Sequence, residues 1–306
     1  MTASRYLKTF LLCGVLLYLF QVGVLLAESR PLVTVTTGII ADMVKNVGGD
    51  RIEVKALMGP GVDPHLYKAT HGDLKALSDA RLVFFNGLHL EGKMQEVLEG
   101  LKKRKPVVAL SDALDPLLLR QPPEFSGLYD PHIWFNVALW GKTIPLIRDQ
   151  LSLLIPEEKT YFAARAESFA GELASLDLWV RQQVEAVPAP QRVLITAHDA
   201  FGYFGAAYGF EVAGLQGIST ASEFGLADIQ RLVELITTRS IKAIFVETSV
   251  PERFIASIQQ GVEARGGKVA IGGTLYSDAL GEGGSGAESY QGMVKKNIQT
   301  ITGALK

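Results

Sequence analysis

The sequence predicts an α/β protein made of two parallel-sheet α/β lobes joined by one long rigid backbone helix. Three observations carry that prediction. Apolar, β-branched runs alternate with amphipathic runs from Leu32 onward, which is the signature of βαβ units. The rhythm stops once, at 157–187, where leucines and a valine recur at helical spacing without a break. It then restarts near Arg192 and continues to the C-terminus.

In order, strands are expected at 32–37, 51–58, 81–87 and 106–111, with helices at 39–47, 71–79 and 92–103. Gly48-Gly49 closes the first helix. A Pro- and Leu-rich connection, 112–130, leads to a helix over 136–153 that Pro145 should kink. The long helix opens with Glu157 and Glu158 after Pro156 and is closed by Pro188 and Pro190. Strands follow at 192–197, 210–218, 243–248 and 268–274, with helices at 200–208, 225–239, 251–265 and 289–304. The expected organisation is an N-terminal leader at 1–27, a first lobe at 30–155, a connecting helix at 156–188 and a second lobe at 189–306. No sequence repeat relates the two lobes.

The leader combines Arg5 and Lys8 with an apolar run from Phe10 to Ala27, followed by small and polar residues. That pattern fits a secretory signal peptide, and the length of the run also fits an uncleaved N-terminal anchor. Either way, an exported, periplasmic or extracytoplasmic protein is expected. The single cysteine, Cys13, lies in this segment, so the folded part has no disulfide or thiolate ligand. A net charge of −2 over 306 residues predicts no nucleic-acid partner. The basic run Lys102–Lys105 reads as a solvated helix end.

Four metal-ligand side chains sit in loops at strand ends: His65 in Gly-Pro-Gly-Val-Asp-Pro-His, His132 in Asp-Pro-His, His198 in Thr-Ala-His-Asp, and Asp278 in Tyr-Ser-Asp. Three of the five histidines fall in these loops. Imidazole nitrogens with a carboxylate suit Zn²⁺ and its transition-row neighbours. Ligands of parallel α/β sheets bind beyond the carboxyl ends of strands, and each lobe supplies two candidates, so a site in the cleft between lobes is expected. Proline in Asp-Pro-His stiffens the loop, and Asp63 and Asp130 are expected to accept the ring N–H of the neighbouring histidine. His71 reads as a helix start and His89 as a surface residue. Tyr203, Phe204, Tyr208 and Phe210 read as core, and Gly281–Gly286 as a mobile loop lacking the context of a dinucleotide fingerprint.

The segments GPGVDPHLY (59–67), NGLHLE (86–91), DPHIWFN (130–136), TAHDAFGYF (196–204) and IGGTLYSDALG (271–281) resemble the TroA-like metal-binding solute receptors of zinc and manganese ABC importers, the cluster A-I family. The resemblance runs from about residue 32 to the C-terminus. It implies His65, His132, His198 and Asp278 as the metal ligands, with the ion carried as cargo and no organic cofactor. It also implies a cytoplasmic-membrane ABC permease as partner, and a monomer is expected. Manganese-favouring relatives commonly carry Glu where this chain has His198, so Zn²⁺ is favoured, with Mn²⁺ or Fe²⁺ as competitors. The His-rich loop of many zinc receptors is missing from 112–130. The rival reading is a zinc-dependent hydrolase using the same His/Asp cluster, although no His-Glu-x-x-His motif occurs. A zinc-dependent adhesin is a third reading that no motif favours.

Overall fold

Four short strands form the first sheet in a computed structural model that describes residues 30–125 and 127–306. They are β1 (Leu32–Val35), β2 (Glu53–Ala56), β3 (Leu82–Phe85) and β4 (Val107–Ala109). All pair in parallel, in the order β2-β1-β3-β4. The crossovers are α1 (Gly38–Gly48), α2 (His71–Asp79) and α3 (Gln95–Lys102). Thr37 caps α1, and Thr70 with Asp73 forms a capping box on α2, which satisfies N–H groups that the helix itself leaves open. The leader, including Cys13, lies outside the described residues.

The long helix, α6 (Lys159–Val184), follows two shorter ones, α4 (Val137–Gly141) and α5 (Ile144–Leu154). A single helix over 136–153 is therefore not what forms. Asn136 caps α4, the chain breaks at Lys142-Thr143, and Pro145 sits in the first turn of α5, where its missing N–H costs nothing. α6 is shorter than the periodic stretch, because residues 156–158 form a separate 3₁₀ turn. Its 26 residues span about 39 Å. Phe162, Phe169, Leu173, Leu176 and Val180 are buried along it.

Beyond α6 come β5 (Val193–His198), α7 (Gly202–Tyr208), β6 (Glu211–Gln216), α8 (Leu226–Arg239), β7 (Ala243–Glu247), α9 (Arg253–Ala264), β8 (Ala270–Leu275) and α10 (Tyr290–Leu305). β5 pairs with β6 and β7 with β8, both in parallel, and β5 lies beside β7. The two hydrogen-bonded pairs are separate two-stranded ladders that lie side by side as a second β layer, in the spatial order β6-β5-β7-β8. That order repeats the β2-β1-β3-β4 order of the first sheet, a kinship the sequence does not display. The two apolar faces of each sheet account for the core. One large cluster joins α1, α4, α5, α6, α7 and α10 on the inner faces of both sheets. Two smaller ones pack α2 and α3 against the first sheet and α8 and α9 against the second.

Two local expectations change. Lys105 is not simply solvated: its ammonium donates to the carbonyls of Leu77 (2.9 Å) and Ala80 (2.7 Å) at the end of α2, where a cation complements the helix dipole. Gly281–Gly286 is a turn tied by Gly281 N–H to the Ala287 carbonyl at 2.8 Å. Gly284 and Gly286 take positive φ there (83° and 77°), which glycine adopts without steric cost.

Candidate metal centre

The loop after β2 turns at Gly61 (φ 70°) and delivers His65 to the carboxyl end of the first sheet. Asp63 Oδ1 accepts the His65 backbone N–H at 2.8 Å. It therefore fixes the main chain of the loop rather than the ring, which corrects the expected ring contact. The physical reason is the tight Asp-Pro-His turn, in which an Asp side chain reaches a backbone N–H two residues on. His132 repeats that turn with a difference. Asp130 Oδ1 lies 3.0 Å from the His132 backbone nitrogen and 2.8 Å from its Nδ1. This holds the proton on Nδ1 and leaves Nε2 with a free lone pair. Arg120 stands 3.6 Å from the other Asp130 oxygen, and Tyr203 OH donates to the Asp130 carbonyl at 3.1 Å.

His198 is the last residue of β5. Glu247, at the end of neighbouring β7, accepts its backbone N–H at 2.8 Å and sets a second oxygen 2.6 Å from its Nδ1. Gly214 on β6 allows the strands to close up here, since a Cβ would fall 2.4 Å from the Asp199 nitrogen. Asp278 follows β8. Its loop is held by Asn297, which accepts Tyr276 N–H at 2.9 Å and donates to the Tyr276 carbonyl at 2.7 Å. Trp134 Nε1 donates to the Ser277 carbonyl at 2.9 Å.

These elements bring all four predicted residues together. Their ligand atoms lie within 4.8 Å of one another, and exposure is 4% for His65, 1% for Asp278 and 0% for His132 and His198. His65 Nε2 is 3.3 Å from His132 Nε2. Asp278 Oδ2 is 3.2 Å from His198 Nε2 and 3.9 Å from His65 Nε2, and Oδ1 is 3.5 Å from His132 Nε2. A tetrahedral ion with bonds of about 2.0–2.1 Å has ligand–ligand edges of about 3.3–3.4 Å, close to the His65–His132, His198–Asp278 and His132–Asp278 separations. Both Asp278 oxygens face the imidazoles, which suits either a four-coordinate ion or a five-coordinate one.

Electrostatics point the same way. Burial drives the His65 pKa down to about 3, against the opposing pull of Asp278. Burial also acts to lower His198, but the Glu247 and Asp278 carboxylates outweigh it and raise this imidazole well above its ordinary range. For Asp278, burial acts to raise the carboxyl, and the surrounding imidazoles, His198 foremost, hold it well below the usual carboxylate range. His198 Nε2 and both Asp278 oxygens find no partner of hydrogen-bond geometry in this closed space. Buried polar atoms are seldom left so, and a divalent cation would satisfy all three. With a dication, Asp278 and Glu247 sum to zero charge, while Arg120 offsets Asp130.

Glu247, Trp134 and Asn297 hold the backbone of the cluster, and the sequence does not single them out. Glu247 left a trace as a carboxylate ending the otherwise apolar strand Ala243–Val246, and Trp134 lies within the segment DPHIWFN. Glu247→Gln is expected to weaken metal affinity by about 10- to 100-fold, read by competition against a chelator; an unchanged affinity would remove Glu247 from the supporting role. His71 opens α2, exposed, and His89 is exposed at φ 64°, so both stand apart from the cluster. His89 lines a separate surface cavity of about 430 Å³ that contains none of the four residues. Tyr203, Phe204, Tyr208 and Phe210 are buried core, as expected, and Tyr203 additionally supports the His132 loop.

Fold and site define an α/β protein with twin parallel sheets and a buried His₃Asp cluster of metal-ligating dimensions. The profile of the family described as zinc-uptake complex component A periplasmic matches residues 33–304. The chain belongs to that family. It is 47% identical over 280 residues to the manganese-binding lipoprotein MntA of Bacillus subtilis (strain 168), covering 92% of this chain and 91% of that protein. It is also 47% identical over 279 residues to the zinc-binding protein TroA of Treponema pallidum (strain Nichols), covering 91% and 90%. The structure of the periplasmic zinc-binding protein TroA from Treponema pallidum superposes with a TM-score of 0.88 at 46% identity, covering 90% of this chain and 99% of that one.

Proposed function

We propose that this protein is an extracytoplasmic solute-binding receptor that captures a divalent transition-metal ion and delivers it to the membrane permease of an ABC importer. Zn²⁺ is the favoured cargo and Mn²⁺ or Fe²⁺ the competitors. The observation that carries the reading is the buried quartet His65, His132, His198 and Asp278, whose ligand atoms sit within 4.8 Å of one another. These four are the proposed ligands. Four protein donors fill a tetrahedral shell and leave no open position for an attacking water, so the chain acts by stoichiometric capture and not as an enzyme. Family membership replaces the metallohydrolase reading with the receptor.

In this proposal residues 30–155 and 189–306 act as two lobes on a stiff connector, 156–188, and the receptor works as a monomer. The choice of metal stays between relatives named for manganese and for zinc at the same 47% identity. Three imidazoles favour zinc, while a carboxylate able to present both oxygens accommodates manganese. Metal analysis of the purified chain, then competition of Zn²⁺ against Mn²⁺ on stripped protein, tests the proposal. One ion per chain supports it, and no bound metal overturns it.

Binding must also release protons. The metal-free cluster holds a proton on His198 more tightly than an ordinary imidazole does, because Glu247 and Asp278 flank it. A metal has to displace that proton. Apparent affinity should therefore fall as pH drops, with the fall beginning above the ordinary histidine value of about 6.5. His65, at about 3, adds a further loss only in strong acid. Titrations at stepped pH, with proton release followed in weak buffer, check this; affinity constant from pH 8 to pH 6 would contradict it.

A further inference from the structure

An ion cannot leave a site whose four ligands are at most 4% exposed unless part of the wall moves, and the walls are held unequally. The loops of His132 and Asp278 are fastened to each other by Trp134 Nε1, which donates to the Ser277 carbonyl at 2.9 Å, and Tyr290 OH at the start of α10 donates to the Trp134 carbonyl at 2.7 Å. Asn86 Nδ2 adds a 3.0 Å bond to the Pro131 carbonyl. His198 is held by Glu247 of the adjacent strand β7. The His65 loop lies at the solvent side, with Gly59, Pro60, Gly61 and Leu66 exposed.

One carboxylate hydrogen-bonds that loop to a loop of the second β layer. Asp63 Oδ2 accepts the Thr220 hydroxyl at 2.6 Å, while Asp63 Oδ1 accepts the His65 backbone N–H at 2.8 Å. A single side chain thus links the backbone of a proposed ligand to the connection between β6 and α8, 157 residues away. Thr220 is itself 9% exposed and Asp63 is half-buried, so the contact is partly shielded from water. At the same turn a Cβ added at Gly61 would stand 3.5 Å from the Thr248 carbonyl oxygen, so the two loops run close together there.

We propose that the Asp63–Thr220 contact is a latch across the cleft that holds the His65 loop closed and sets the rate at which the metal leaves. The proposal rests on the metal-receptor reading. Asp63 and Thr220 are positioning residues: they act on the ion through His65. Opening toward solvent must break the latch before His65 can swing away, so weakening it should speed dissociation without slowing association.

The test is stopped-flow dissociation of Zn²⁺ from the loaded chain into excess chelator, for wild type, Thr220→Val and Thr220→Ser. Loss of a hydrogen bond to a charged group should raise the dissociation rate of Thr220→Val about tenfold or more. Association should be unslowed and the Tm of the metal-free protein should shift by no more than a few degrees. Thr220→Ser, which keeps the hydroxyl, should return the rate to within about twofold of wild type. A Thr220→Val rate within twofold of wild type overturns the latch, as does slowed association with unchanged dissociation. Should Thr220→Val unfold, Asp63→Asn replaces it. That variant keeps an acceptor for the His65 N–H but removes the charge from the Thr220 contact; it should also release Zn²⁺ faster, and an unchanged rate overturns the latch. Failure of the wild type to take up Zn²⁺ or Mn²⁺ would sink the receptor reading and the latch together, whereas tight binding with no effect of either variant sinks the latch alone.

Discussion

Replacing His198 with alanine is expected to lower Zn²⁺ affinity by about 10²- to 10³-fold. Structural zinc binding is worth about 10–16 kcal/mol in peptides, so one of four ligands carries roughly 3–4 kcal/mol. The substitution has a second consequence, because it strands Glu247. That carboxylate is 4% exposed and faces His198 through both oxygens. Without the imidazole it keeps only the backbone N–H of residue 198, and a buried charge that loses its partner is costly. Metal should stabilise the wild type by about 4 kcal/mol when present at a thousand times its Kd, and the variant at that same concentration should lose most of the shift. Competition titration reads the affinity and thermal unfolding with and without Zn²⁺ reads the linkage. An unaltered affinity in His198→Ala would exclude His198 from the ligand set.

The second large effect is expected at a residue that touches no metal. Trp134 is 2% exposed, lies edge-on to His132 with ring centroids 5.2 Å apart, and donates Nε1–H to the Ser277 carbonyl. Trp134→Ala should destabilise the metal-free protein by about 3–5 kcal/mol through the cavity it leaves. It should also weaken metal binding, because the bond that registers the Asp278 loop against the His132 loop is gone. Trp134→Phe separates the two roles. It keeps much of the ring volume but leaves the Ser277 carbonyl without its donor, at a cost of about 1–3 kcal/mol. Urea unfolding gives the stability and chelator competition the affinity. If Trp134→Phe matches wild type in both, the Trp134–Ser277 bond does not position the site.

The elements that sequence placed well are those fixed by local forces. α2 was expected at 71–79 and forms at His71–Asp79, because Thr70 and Asp73 sign its start in the sequence itself. β5 was expected at 192–197 and runs Val193–His198, since an apolar run bounded by turn residues reads locally as a buried strand. The expected helix over 136–153 splits into two because Asn136 and Lys142-Thr143 offer a cap and a break that the apolar pattern alone hides.

The site divides in the same way. His65, His132, His198 and Asp278 were legible as candidates, and they cluster, because ligand chemistry resides in residue type, and loops at strand ends are where such chemistry gathers in α/β sheets. Which group stands behind each ligand was not. Two identical Asp-Pro-His turns put Asp130 on the His132 ring and Asp63 on the His65 backbone and Thr220. The sequence by itself determined the alternation of strands and helices and the four loops that carry the proposed ligands, since periodicity and turn chemistry act over a few residues. The tertiary structure alone decided the twin strand order, the Glu247 support of His198 across 49 residues and the Trp134 bond to Ser277 across 143. Those contacts depend on how sheets and helices pack against each other, and packing brings together residues whose distance along the chain carries no signal.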